Sequence, residues 1–145
     1  MAPTTDFQTG TTAGDLIFTA TLPNGTDQKR LTIPRTAIGV DTFTATRVAA
    51  GLNVSINGFD NTRTASQFTF TFYDHAGVAI APGAISVDLT TNFAAYFAKS
   101  QFGGVFGLRA VFPVTGDSSQ VDAVSVTLAN AAGKTNTGKI KFTTP

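Results

Sequence analysis

His75 is the one imidazole in the chain, and it stands in Asp74-His75-Ala76-Gly77, a stretch that reads as a turn. A catalytic dyad there needs a nucleophile, and a metal site needs further ligands. The chain has no second His and no Cys, so a solvated turn residue is the expectation. The acids are all Asp, spread from Asp6 to Asp122, mostly in turns or at strand starts. Asp117 and Asp122 flank one turn, and Asp60-Asn61 makes another oxygen-rich loop. In turns such residues bond their own backbone; the competing readings are paired carboxylates for acid/base work or a weak Ca²⁺ site at either end of the fold. Lys139 and Lys141 flank Ile140, and an amide cross-link to Asn requires a buried Lys. With Ile140 and Phe142 inward, both Lys are solvated. Asn24-Gly25-Thr26 and Asn53-Val54-Ser55 match the N-glycosylation acceptor pattern, which chance supplies often in a Thr- and Ser-rich chain. Tyr73 and Tyr96 are candidates for stacking on apolar sugar faces, although Phe at strict alternation is more often core. No set of nucleophile, base and metal ligands emerges. The expectation is therefore no catalytic residues, no metal and no cofactor.

Something must position these side chains, and composition says it is β-structure. Hydrophobic residues make up 42% and charged residues 13%, which excludes a disordered chain. There is no Glu, and Thr, Phe, Val and Gly abound, so surface helix formers are scarce and strand formers common. The net charge is +1 with Lys and Arg scattered, which speaks against nucleic acid as a partner. No apolar run is long enough for a membrane span, so no membrane insertion is expected. The start, Met1-Ala2-Pro3-Thr4, lacks a charged region followed by an apolar one. If the parent protein is secreted, the chain is expected to begin after its signal, with Met1 an added initiator.

The most conspicuous element is Gln67-Phe68-Thr69-Phe70-Thr71-Phe72-Tyr73. Three Phe at every second position put three rings on one face of a strand. The other strands follow from alternation. Asp15–Thr21 and Lys29–Ile33 form a hairpin across Pro23-Asn24-Gly25-Thr26. A loose lead-in covers residues 1–13. From Val40 come a first strand to Thr46, then Leu52–Ile56 closed by Asn57-Gly58. After the Phe strand, Val78–Ile80 is a short edge segment, and Ala81-Pro82-Gly83 breaks it from Ile85–Leu89. The period then changes. Phe93, Ala94, Phe97 and Ala98 share one face of a helix over 91–102, capped at Thr91-Asn92 and stopped by Gly103-Gly104. Strands return at 105–114, 123–128 and 139–142, with Asn130–Lys134 a loop. The spacing predicts an all-β, Ig-like or fibronectin-III-like antiparallel β-sandwich of about seven strands, one short helix near 91–102 and an N-terminal β-hairpin. The predicted division is 1–37 for the hairpin and 38–145 for the sandwich.

The two ends echo each other. Gly14–Thr21 leads through a Gly-containing loop to Lys29–Pro34, and Asp122–Leu128 leads through another to Lys139–Pro145. The echo suggests a tandem array, with the hairpin the tail of a preceding repeat. Residues 35–143 resemble the Ig-like repeat found near the C-terminal ends of very large secreted bacterial surface proteins. The resemblance lies in Thr64-Ala65-Ser66-Gln67-Phe68-Thr69-Phe70-Thr71-Phe72, Phe93-Ala94-Ala95-Tyr96-Phe97 with Phe102-Gly103-Gly104, Phe112-Pro113-Val114-Thr115-Gly116-Asp117 and Val124–Asn130. Similar repeats follow a segment like Gly10–Ala20. The resemblance implies an extracellular or cell-surface structural and adhesive module and carries over no catalytic residue. The expected partners are other copies or neighbouring repeats, with polysaccharide as the alternative. Leu16, Phe18, Leu31 and Ile33 are the candidate association surface, because an isolated hairpin offers unpaired edges and an apolar face.

Overall fold

The computed structural model describes residue 4 and residues 6–144; the expectations that touch residues 1–3, 5 and 145 fall outside them. The described chain is mostly antiparallel β-structure with one short α-helix. Strands β1 (Gly14–Leu22) and β2 (Gly25–Ile33) pair only with each other. Strands β3 (Gly39–Val48), β4 (Gly51–Phe59) and β7 (Val105–Phe112) form a second sheet in the order β3-β4-β7. The third sheet holds β5 (Gln67–Tyr73), β6 (Ala79–Asp88), β8 (Ala123–Asn130), β9 (Gly133–Asn136) and β10 (Ile140–Lys141). Its order is β10-β8-β5-β6, with β9 also on β8. Helix α1 (Thr90–Lys99) lies between β6 and β7 in the chain.

The second and third sheets face each other across one core. Leu52, Val54 and Ile56 of β4 and Phe106 of β7 meet Phe68 and Phe70 of β5 and Val124, Val126 and Leu128 of β8. Phe68 and Phe70 are essentially unexposed, and burying one such ring is worth about 1.5–3 kcal/mol. The rings interlock across the layers: Phe70 and Phe72 lie 4.8 and 5.0 Å from Phe112, and Phe68 lies 6.1 Å from Phe106. Phe93 and Phe97 of α1 close one end, with Phe93 edge-on to Phe106 at 5.2 Å. The C-terminal segment ties the sheets together along one side. Thr143 bridges β3 in parallel at Thr46, Thr143 O accepting from Arg47 N at 2.8 Å.

Several expectations are corrected. Asn57-Gly58 does not end β4, which runs on to Phe59. Gly58 is there for closeness: a Cβ would come within 2.4 Å of Gly39 O and 3.0 Å of the Phe106 ring. Ala81-Pro82-Gly83 lies inside β6 and does not end it, but it interrupts the ladder: residues 80–83 have no partner on β5, whose register shifts there between Thr71 and Tyr73. The helix starts at Thr90 and ends at Lys99, short of the glycines. Thr91-Asn92 is not its cap. Asp88 Oδ1 instead accepts from Thr90 N at 2.9 Å and Thr90 Oγ1 at 2.6 Å. Asn130–Lys134 is not wholly loop, since Gly133 and Lys134 open β9. Strand β7 ends at Phe112, two residues early. Residues 39–141 hold eight strands, and β9 and β10 run along the same partner. A register shift between Val40 and Thr42 lets both Val40 and Phe43 pack on the core, which strict alternation forbids.

Candidate functional site

The hairpin β1–β2 is joined to the two-sheet body at a clasp centred on one buried residue. Asn61 follows β4 and is 5% exposed. Its Nδ2 donates to Pro34 O at 2.8 Å, its Oδ1 accepts from Thr36 N at 3.0 Å, and its own carbonyl accepts from Ala13 N at 2.8 Å. One side chain and one carbonyl therefore hold both the chain entering the hairpin and the chain leaving it. Beneath it Asp60 is wholly buried. Its Oδ1 accepts from Thr62 N, Thr62 Oγ1 and Asn130 Nδ2, and its Oδ2 from Thr64 N and Ala65 N, all between 2.7 and 2.9 Å. A buried carboxylate is tolerated only when its lone pairs are so occupied. Asn130 Nδ2 also donates to Thr36 O at 2.9 Å, which adds the end of β8 to the clasp. Gly104 lies against this turn so closely that a Cβ would come within 2.1 Å of Asp60 O. The Asp60-Asn61 loop thus bonds its own backbone, as its residue types suggest, and also grips the hairpin.

Beyond the clasp the hairpin is nearly bare. Cross-strand register pairs Leu16 with Leu31, Phe18 with Lys29 and Gly14 with Ile33, so Leu16, Phe18, Leu31 and Ile33 share one face. Leu16, Phe18 and Ile33 are half-buried, and Leu31 is 46% exposed. The lead-in supplies partial cover, with the Phe7 ring 4.6 Å from Phe18. The opposite face carries the Arg30–Asp15 pair at 2.7 Å and Thr32 Oγ1 donating to Asp15 at 2.6 Å. Exposed pairs of this kind add little stability, and a two-stranded hairpin alone is marginal in water.

Tyr73 and Tyr96 are not brought together. Tyr96 sits on α1, 43% exposed, and its hydroxyl donates to Val105 O at 3.0 Å. With Lys99, Gln101 and Phe102 it lines a shallow cavity of about 390 Å³, and Phe102 is 79% exposed. Tyr73 ends β5 at another cavity, where Lys139 Nζ lies 3.7 Å over its ring and its hydroxyl meets Ser125 Oγ at 3.0 Å.

That second cavity gathers a cluster that local sequence does not announce. His75 Nδ1 lies 3.3 Å from Asp122, Lys141 Nζ lies 3.3 Å from the other Asp122 oxygen, and His75 Nε2 lies 3.0 Å from the Ser119 carbonyl. The ring is exposed, yet both its nitrogens face oxygen acceptors. The register of β5 against β8, which pairs Tyr73 with Ala123, creates this meeting. Ser119 offers His75 its carbonyl, while its hydroxyl bonds Asp117. Elsewhere the carboxylates serve turns. The Thr90 hydroxyl and N–H hold Asp88 below its ordinary range, and the Ser119 hydroxyl and N–H with the Gln120 amide do the same for Asp117. Among the described residues no three acid, His or Cys side chains stand together in a way that could hold a metal ion, and no helix is long and apolar enough to cross a membrane. No protein-family model matches the chain, and neither a curated protein nor a solved structure matches it.

Proposed function

We propose that this chain is a non-enzymatic structural and adhesive module of an extracellular bacterial protein, an Ig-like β-sandwich that associates with other copies or neighbouring repeats through its N-terminal hairpin. The observation that carries this reading is the state of β1 and β2. They pair with no other strand, keep an apolar face only half covered by Phe7, and are held out from the body by a buried clasp. Unpaired edges of this length favour pairing with another chain.

Strand order supports the Ig-like assignment. β3-β4-β7 corresponds to A-B-E, and β9/β10-β8-β5 to G-F-C, with β6 beside C and α1 in the chain where D would run. The extracellular setting rests on the family resemblance and the tandem reading on the echo between the two hairpins. The test is deletion of residues 1–34, with mass in solution followed by light scattering over a concentration series. The intact chain is expected to form dimers and longer species and the truncated chain to stay monomeric. An assembly that survives the deletion unchanged sinks the reading.

The cavity beside Tyr96 and Phe102 favours a second reading, a carbohydrate-binding module that stacks sugar on exposed rings. Retention on insoluble polysaccharide that Tyr96→Ala abolishes would support it, and no retention would end it.

A further inference from the structure

The body has an open seam. β6 and β7 are edge strands, one in each facing sheet, with no strand on their outer sides. Helix α1 covers one half of the seam: Phe93 and Phe97 are buried there, Phe93 lies edge-on to Phe106 of β7, and the Tyr96 hydroxyl donates to Val105 O, leaving a small cavity of about 170 Å³ beside Gly107 and Leu108. The other half stays uncovered. There Leu52, Phe72, Ile80, Ile85, Phe112 and Val114 line an apolar groove of about 250 Å³ that runs into the core.

The groove and the hairpin lie at opposite ends of the body. In the β4–β7 ladder Phe59 pairs with Val105 beside the Asn61 clasp, and Leu52 pairs with Phe112 at the groove. That run of β4 is roughly 24 Å long at about 3.4 Å per residue. Phe18 lies only four residues beyond Gly14, at the hairpin base, roughly 14 Å out on the same scale. A molecule's own Leu16 and Phe18 therefore fall short of its own groove.

Resting on the reading of the hairpin as an association arm, we propose that the groove is the acceptor for the hairpin of a second copy. One hairpin strand runs along the uncovered half of the β7 edge, near Phe112, and seats Leu16 and Phe18 over Leu52, Phe72 and Phe112. Main-chain pairing supplies affinity in such strand addition, and alternate side chains in pockets supply register. The two partners fit in three respects. Both hairpin strands are nine residues long and nearly all exposed, so each offers an outer edge free to pair. Phe18 exchanges the partial cover of Phe7 for an apolar groove. Lys29, directly opposite Phe18 on the same face, approaches Asp117, an exposed carboxylate two residues beyond the groove residue Thr115. Because donor and acceptor sit at opposite ends, the contact is head to tail and propagates into a filament unless the rotation closes a ring.

The chain has no Cys, so engineered thiols report cleanly. Lys29→Cys and Thr115→Cys are made as separate full-length variants and mixed under mild oxidation. A disulfide-linked pair joining one variant to the other, in at least tenfold excess over either variant with itself, is expected. The variant carrying both substitutions is expected to give a ladder of dimers, trimers and longer species. An internal disulfide in monomers of that variant overturns the proposal, as does absence of the mixed link at concentrations where the intact chain associates. Val114→Asp at the groove rim gives a second readout, a loss of association of at least tenfold while circular dichroism shows the sandwich still folded at the temperature of the measurement. If deletion of 1–34 abolishes association while Val114→Asp and the cross-link do not respond, the groove assignment fails and the hairpin reading stands. If the intact chain shows no association at all, both fall.

Discussion

The hairpin β1–β2 and the pair β3–β4 are built to the same local plan and live in different circumstances. Each is antiparallel with strands of nine or ten residues, and each carries apolar residues at alternate positions. In β4 the alternate residues Leu52, Val54 and Ile56 are buried, whereas β2 buries none. Pairing alone does not separate them. A second sheet covers β4 with Phe rings, and the hairpin has only Phe7 and a polar clasp at its base. Backbone pairing fixes a strand's shape, while stability comes from the face it buries.

This contrast can be broken in order of size. Phe70→Ala and Phe18→Ala are the same change on the two kinds of strand. Phe70→Ala is expected to cost about 3–5 kcal/mol in urea unfolding, and Phe18→Ala less than about 1 kcal/mol. Equal costs would mean that the hairpin packs as deeply as the core. Asp60→Ala leaves several buried donors without an acceptor and is expected to cost about 3 kcal/mol, read from the same denaturant curves. Asn61→Ala removes the side-chain half of the clasp. It should cost about 1–2 kcal/mol, and its signature is local: amide exchange in 14–33 speeds up while β5 and β8 keep their protection. Uniform acceleration would show that the clasp supports the body as a whole. The smallest effect is expected at the polar turns. Asp88 and Asp117 have carboxylates held below their ordinary range, so their contribution is present above the unfolded-state pKa and is lost as pH falls through the folded value. Asp88→Asn should lose a little stability at pH 7, where the ionised carboxylate accepts from Thr90, and flatten the acid limb so that the loss shrinks as pH falls; a larger loss at pH 3 than at pH 7 would contradict this.

The Phe strand, the β4 face, the β8 face and the two inward Phe of α1 were legible from spacing, because alternation and helical period are local consequences of backbone geometry. Where the reading missed, a punctuation residue served a neighbour and not a turn. Gly58 makes room for Phe106, and Pro82 rides an edge strand. The shared face of Leu16, Phe18, Leu31 and Ile33 was legible because the same alternation that marks a buried strand marks an exposed one. The clasp was half visible. Asp60-Asn61 was recognisable as an oxygen-rich turn, but the pattern held no sign that Asn61 would reach Pro34 or that Asp60 would meet Asn130.

The sequence by itself therefore determined which residues share a face, where strands alternate with turns, and that one helix interrupts them. Those properties are set within a few residues by φ/ψ and side-chain period. Tertiary structure alone decided which apolar face found a cover and which did not, which strands became edges, and that the open groove lies at the far end from the hairpin. It also decided that His75, Asp122 and Lys141 share one cavity. Contacts between residues far apart in the chain depend on sheet order and register, and no local period encodes either.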